Sequence, residues 1–171
     1  EGLEDCVCVT GFQTPDRVRQ MMEQANIFLF TSDRQEGWGA VVNESMNSGC
    51  ALVSGNMPGS VPYLVRQGYN GYMYQDGDQQ MLNAIMERLV RDPKQCETLG
   101  RRAYRTITGT WNAENAAASL MQLIRRLQGK SGTGDDAAYR GCANELVPCA
   151  PAPLISEYRK VRTAEFVPEE S

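Results

Sequence analysis

Short apolar runs alternate with polar stretches punctuated by glycine and proline, and their lengths predict an alternation of strands and helices. CVCVT at 6–10 reads as a strand ending at Gly11, with Cys6 and Cys8 on one face as small buried thiols. Thr14-Pro15-Asp16 then supplies an N-cap, a first-turn proline and a dipole-favoured acid for a helix to about Asn26. IFLFT at 27–31 and CALVS at 50–54 are continuous apolar runs, the pattern of parallel strands covered on both faces. Between them a glycine-containing loop leads into a short helix from about Gly39 to Ser48, closed by Gly49.

After the third run the turn residues of NMPGS precede SVPYLVRQ, where Ser60 is a second candidate N-cap and Gly68 a stop. NGYMY at 70–74 predicts a short extended piece. Asp78 should cap a helix to about Arg91 with Met81, Leu82, Ile85, Leu89 and Val90 on one face. Further helices are expected over 93–107 and 111–128. From Gly129 the composition turns Gly/Ser-rich and the period is lost, so 129–171 reads as an irregular linker or tail leading into another domain. The order of elements predicts an α/β fold with a Rossmann-like parallel sheet and helices on both faces, ending in a helical part.

With 171 residues, 42% of them hydrophobic, the chain can bury one substantial core. A net charge of -4 supplies no basic field, and nucleic acid is not an expected partner. The longest purely apolar run, 27–30, is far below the length of a membrane span, leaving at most peripheral membrane contact and a cytoplasmic location at the inner face of the membrane. The first residues lead straight into strand-like sequence, which predicts a piece of a longer chain. Histidine is absent from the sequence and the six cysteines form no CxxC pair, so neither an imidazole-based nucleophile system nor a metal site is expected.

The chemistry concentrates in EGWGAVVNE at 36–44, between the carboxyl end of one predicted strand and the next helix, where ligands bind in open α/β sheets. Gly37 and Gly39 remove side chains at the turn, so backbone N–H groups of residues 37–41 can approach an anion at the positive helix end. A phosphate is the natural occupant. Glu44, one turn further in, suits neutral hydroxyls such as a ribose diol, and Glu36 lies on the other side of the phosphate position. The bland reading is a loop carboxylate and a helix-start acid that only complements the dipole. Two carboxylates also suggest a retaining glycosidase, which needs one acid of raised pKa, a poor match to a solvated helix-start glutamate. A dinucleotide-binding domain would need GxGxxG after the first strand, and the chain has none.

The segment resembles the signature of retaining GT-B glycosyltransferases of the large family 4 (group 1) type: Glu36, seven intervening residues, Glu44, then the small-residue helix end and apolar strand of ESMNSGCALVS. From VCVTGF to NGYMYQDGD and the helices after it, the resemblance covers about 3–128. It implies a donor-binding domain over 1–128, the C-terminal half of such an enzyme with its first strands missing. By the resemblance Glu36 is the catalytic-site glutamate that holds donor-sugar hydroxyls, and Glu44 bonds the ribose. The amides of Gly37, Trp38, Gly39, Ala40 and Val41 take the diphosphate of a nucleotide-sugar donor, and Thr10, Gly11 and Phe12 lie by the base. The implied reaction retains the anomeric configuration, needs no metal or cofactor, and uses the leaving phosphate to help deprotonate the acceptor hydroxyl. The acceptor, a glycan or lipid-linked glycan, would bind a missing N-terminal domain, and the fragment alone should be inactive. Two departures are visible: Trp38 stands where Phe is more frequent, and PGSVPYLV has Pro62 near the place of a common acidic residue. A non-catalytic nucleotide-binding module kept for assembly is the competing expectation.

Overall fold

In a computed structural model the described residues are 2–129. The expected tail lies outside them, apart from Gly129. The elements run α1 (Pro15–Gln24), β1 (Ile27–Phe30), α2 (Ala40–Asn47), β2 (Ala51–Gly55), α3 (Val61–Leu64), β3 (Gly71–Tyr74), α4 (Gln79–Arg91), α5 (Pro93–Gly109) and α6 (Ala113–Leu127). The three strands pair in parallel in the order β1-β2-β3, with Leu52 beside both Phe28 and Gly71.

Because side chains alternate across a strand, β2 feeds two separate cores. Ala51 and Val53 join Tyr72, Tyr74, Met81, Ile85, Leu89, Cys96 and Leu99 on the face covered by α4 and the start of α5. Leu52 points the other way, into Val42, Met46, Val61, Leu64, Val65, Ala103 and Ile107 from α2, α3 and the end of α5. Helices thus cover both faces of the sheet, as expected. α5 contributes to both layers and crosses by the start of β2, where Gly100 comes so close to the Gly49 carbonyl that a Cβ would collide with it.

The caps follow the predicted chemistry at two of three places, Thr14 and Asp78 but not Ser60, and the structure adds a cap at Asp92. Thr14, Asp78 and Asp92 each accept a hydrogen bond from a first-turn amide, those of Arg17, Met81 and Gln95. Ser60 does not: its backbone is already helical and its hydroxyl donates instead to the carbonyl of Gly39 at 3.4 Å.

Five further expectations are corrected. The segment 6–10 is not a strand: a turn returns Cys6 and Val7 to the carbonyl of Leu3, and 7–11 are exposed and irregular. No described strand pairs with it, and an unpaired strand leaves its backbone groups without a ladder. For the same reason Cys6 and Cys8 are exposed rather than buried. β1 is an edge strand of the described sheet and only half-buried, not covered like β2. The helix expected over 60–67 shortens to α3, since Arg66 donates its amide to the Asn70 side chain and enters a turn. In α4, Met81, Ile85 and Leu89 are buried, but Val90 lies off their stripe and is exposed. No helix among the described residues is long and apolar enough to cross a membrane.

Candidate functional site

The three parallel strands end on the same side of the sheet, and the carboxyl ends of β2 and β3 are tied together by Asn56. Its amide nitrogen donates to the Gln75 side chain at 3.2 Å, its side-chain oxygen accepts from the Asp76 amide at 3.0 Å, and its backbone N–H bonds the Tyr74 carbonyl at 3.1 Å. Over this rim lies the loop between β1 and α2. Asp33 begins the loop by accepting from the Gln35 amide through its side chain (2.8 Å) and from the Glu36 amide through its carbonyl (3.1 Å).

The loop is then laced to the segment that follows β2. Gly59 donates to the Gly37 carbonyl at 2.9 Å and Ser60 to the Trp38 carbonyl at 2.8 Å. A Cβ on residue 59 would stand 2.5 Å from the Gly37 oxygen, so the glycine of PGS is what allows these backbones to meet. Gly39 caps α2 with φ +77 and makes no side-chain cap bond. The N–H groups at the start of α2 have no carbonyl a turn before them to bond, which leaves donors at the positive end of the helix. Gly37, Trp38, Ala40 and the half-buried Val41 surround this end; Gly39 is buried under the Phe30 ring.

The two glutamates fall on either side of this turn. Glu36 is half-buried, and a Cβ on residue 39 would stand 3.4 Å from its Cγ. Glu44 is exposed on α2 and opens onto a cavity of about 500 Å³ lined also by Phe12, Gln13, Pro15, Arg19 and Asn47. Phe12 and Glu44 are therefore brought to one hollow, although far apart in sequence. Thr10 and Gly11 do not line it; they lie on the exposed approach, where the Gln13 side chain donates to the Thr10 carbonyl at 2.6 Å.

Three residues that the sequence pattern did not single out join Trp38. Its indole N–H donates to Asn43 Oδ1 at 2.9 Å, its ring stacks on Tyr63 at 6.0 Å between centroids, and Trp111 leans on it at 6.1 Å. Tyr63 and Trp111 come from α3 and the α5–α6 turn, so only the fold brings them together; the aromatic in PGSVPYLV was the available signal.

The family described as Glycosyl transferases group 1 matches residues 1–106. An amylovoran biosynthesis glycosyltransferase of Erwinia amylovora, AmsK, is 28% identical over 130 residues, 73% of this chain and 32% of that protein. A lipopolysaccharide core biosynthesis glycosyltransferase of Rhizobium meliloti, LpsE, is 28% identical over 123 residues, 72% of this chain and 35% of that protein. The chain thus spans about a third of the length of the curated relatives it matches. Among solved structures, the C-terminal domain of a glycosyl transferase group 1 family protein from Francisella tularensis superposes with a TM-score of 0.56 at 20% identity, covering 61% of this chain and 53% of that one. Sucrose-phosphate synthase from Thermosynechococcus elongatus does so with a TM-score of 0.63 at 24% identity, covering 75% of this chain and 32% of that one. The fold is that expected for the C-terminal half of a GT-B protein, and this chain belongs to the glycosyl transferase group 1 family.

Proposed function

We propose that the 36–44 segment is the donor site of a glycosyltransferase that takes a nucleoside-diphosphate sugar and transfers its hexosyl group, with retained configuration, to an acceptor hydroxyl. The observation that carries the reading is the turn itself. A loop with glycines at 37 and 39, at the strand ends, presents helix-start amides, with one glutamate on each side of them. In this reading the amides of Gly37, Trp38, Ala40 and Val41 hold the diphosphate, helped by the helix dipole. Gly39 contributes the left-handed turn that aims them.

Glu36 orients hydroxyls of the donor sugar. Glu44 accepts from the ribose diol, and the base lies in the hollow beside Phe12. The leaving diphosphate, once its bond to the anomeric carbon lengthens, takes the acceptor proton on the same face. The chain's own share is binding and orientation, and no cofactor is needed. The acceptor is held by the remainder of a longer protein, in cell-surface polysaccharide or glycolipid synthesis at the inner face of the membrane, and this chain alone is inactive. Two relatives named for amylovoran and lipopolysaccharide core biosynthesis support that setting.

Calorimetric titration with UDP, GDP, ADP and NAD tests the reading. One nucleoside diphosphate should bind in preference to NAD, and Glu44→Ala should weaken it at least about five-fold, the loss of a hydrogen bond to a charged group. Equal binding by the variant, or preference for NAD, would remove the donor role from this segment.

A further inference from the structure

We propose that Gly59 and Ser60 are positioning residues for the diphosphate, a brace that turns successive N–H groups of the loop before α2 toward the ligand; the inference rests on the donor-site reading above. Three consecutive loop carbonyls are held from this one short segment. That of Gly37 accepts from the Gly59 amide at 2.9 Å and that of Trp38 from the Ser60 amide at 2.8 Å. That of Gly39 accepts from the Ser60 hydroxyl at 3.4 Å, as well as from the Val42 amide of α2 at 2.9 Å. In a trans peptide the carbonyl of one residue and the N–H of the next point in opposite directions. Fixing these carbonyls toward 59–60 therefore sends the N–H groups of Trp38, Gly39 and Ala40 to the other side. Among the described residues none of the three reaches an acceptor. Successive N–H groups on one side of a turn, here with Gly39 at φ +77, make a concave donor set suited to an anion.

The brace is set before anything binds. Pro58 and Ser60 are fully buried, and Val61 and Leu64 just after them belong to the core shared by α2, α3 and α5. On the other side Asn56, also buried, is tied to the Gln75 side chain and the Asp76 amide. The position of 59–60 thus follows from β2 and the core, and the loop takes its shape from it. Donors fixed in advance need no reorganisation when a phosphate arrives. Gly59 separates this role from one in folding. The three atoms nearest a Cβ built there all belong to the loop: the Gly37 oxygen at 2.5 Å, the Gly37 carbonyl carbon at 3.4 Å and the Trp38 Cα at 3.6 Å. The backbone at 59 lies outside the left-handed region, so an alanine is unstrained in itself. Its methyl meets the loop and pushes the Gly37 carbonyl off its bond.

The 171-residue chain, Gly59→Ala and Ser60→Ala are titrated with UDP, GDP and ADP and with uridine, guanosine and adenosine, affinities being read from amide chemical shifts. The quantity compared is the advantage of a diphosphate over its own nucleoside. Gly59→Ala lowers that advantage by about ten-fold or more, the loss of hydrogen bonds to a charged group, and leaves the nucleoside within about two-fold. Ser60→Ala, which keeps both amide bonds of the brace, lowers it by about two- to five-fold. A role in folding alone would move nucleoside and diphosphate together, and that result overturns the proposal. So does an unchanged advantage in a folded Gly59→Ala, which leaves the donor reading standing. Should Gly59→Ala fail to fold by circular dichroism, Ser60→Ala decides by the same comparison, an unchanged advantage overturning the brace. A wild-type chain whose diphosphates bind no better than the nucleosides overturns the donor reading itself.

Discussion

α5 and α6 are neighbours in the chain and carry the same kind of pattern, yet they meet opposite fates. α5 buries Cys96, Leu99, Gly100, Ala103 and Ile107, a stripe at helical spacing that reaches both cores. α6 repeats the spacing with Leu120, Leu123, Ile124 and Leu127, and buries none of them. The α6 residues that are half-covered are Asn115 and Gln122, a polar pair seven apart on the opposite side. α6 thus turns its polar side to the body and its apolar stripe outward. Periodicity announces that a face exists to be covered; it is silent about what covers it, because the cover is long-range.

The sharpest test of this contrast is a pair of matched truncations. Leu99→Ala, at 1% exposure, should cost about 2–5 kcal/mol in urea unfolding, since the packed core around it relaxes only in part. Leu123→Ala, at 53% exposure, should stay within about 0.5 kcal/mol. A cost for Leu123 approaching that for Leu99 would mean that the α6 stripe is covered in solution.

A smaller effect comes from the buried thiols. Burial pushes Cys50 and Cys96 up, with Asp92 adding to the rise at Cys96. Burial and then Asp76 do the same for Tyr74. The folded chain keeps these protons at a pH where the unfolded chain releases them. Stability from the thiols is therefore full below about pH 8.5 and declines above it, with Tyr74 adding to the decline above about pH 10. Urea midpoints between pH 7 and pH 10 should fall, and the fall should be shallower in Cys50→Ala/Cys96→Ala. An equal slope in the variant would remove the thiols from the account.

The same division between local and long-range signals explains what could be read from the chain. β1 and β2 were legible because their apolar runs are continuous, and α1 and α4 because their caps are local chemistry. The segment 6–10 looked like a strand and is not, since only a neighbouring strand makes one. Ser60 looked like a cap, and its hydroxyl is drawn to Gly39 by a loop distant in sequence. In the candidate site, the 36–44 turn was visible as a motif. The partners of Trp38 were not, because Tyr63 and Trp111 reach it from 25 and 73 positions away (63 − 38 and 111 − 38).

Ligand phosphate should meet the loop before α2, and amide chemical-shift mapping reads that contact residue by residue. On addition of the nucleoside diphosphate that binds best, the shifts should concentrate at 37–41 and Glu44, with Phe12 and Gln13 following as the hollow beside them fills. Shifts concentrated instead around Cys96, Glu97, Arg101 and Arg105, which line a separate cavity of about 860 Å³ with the Gly49 turn, would contradict it.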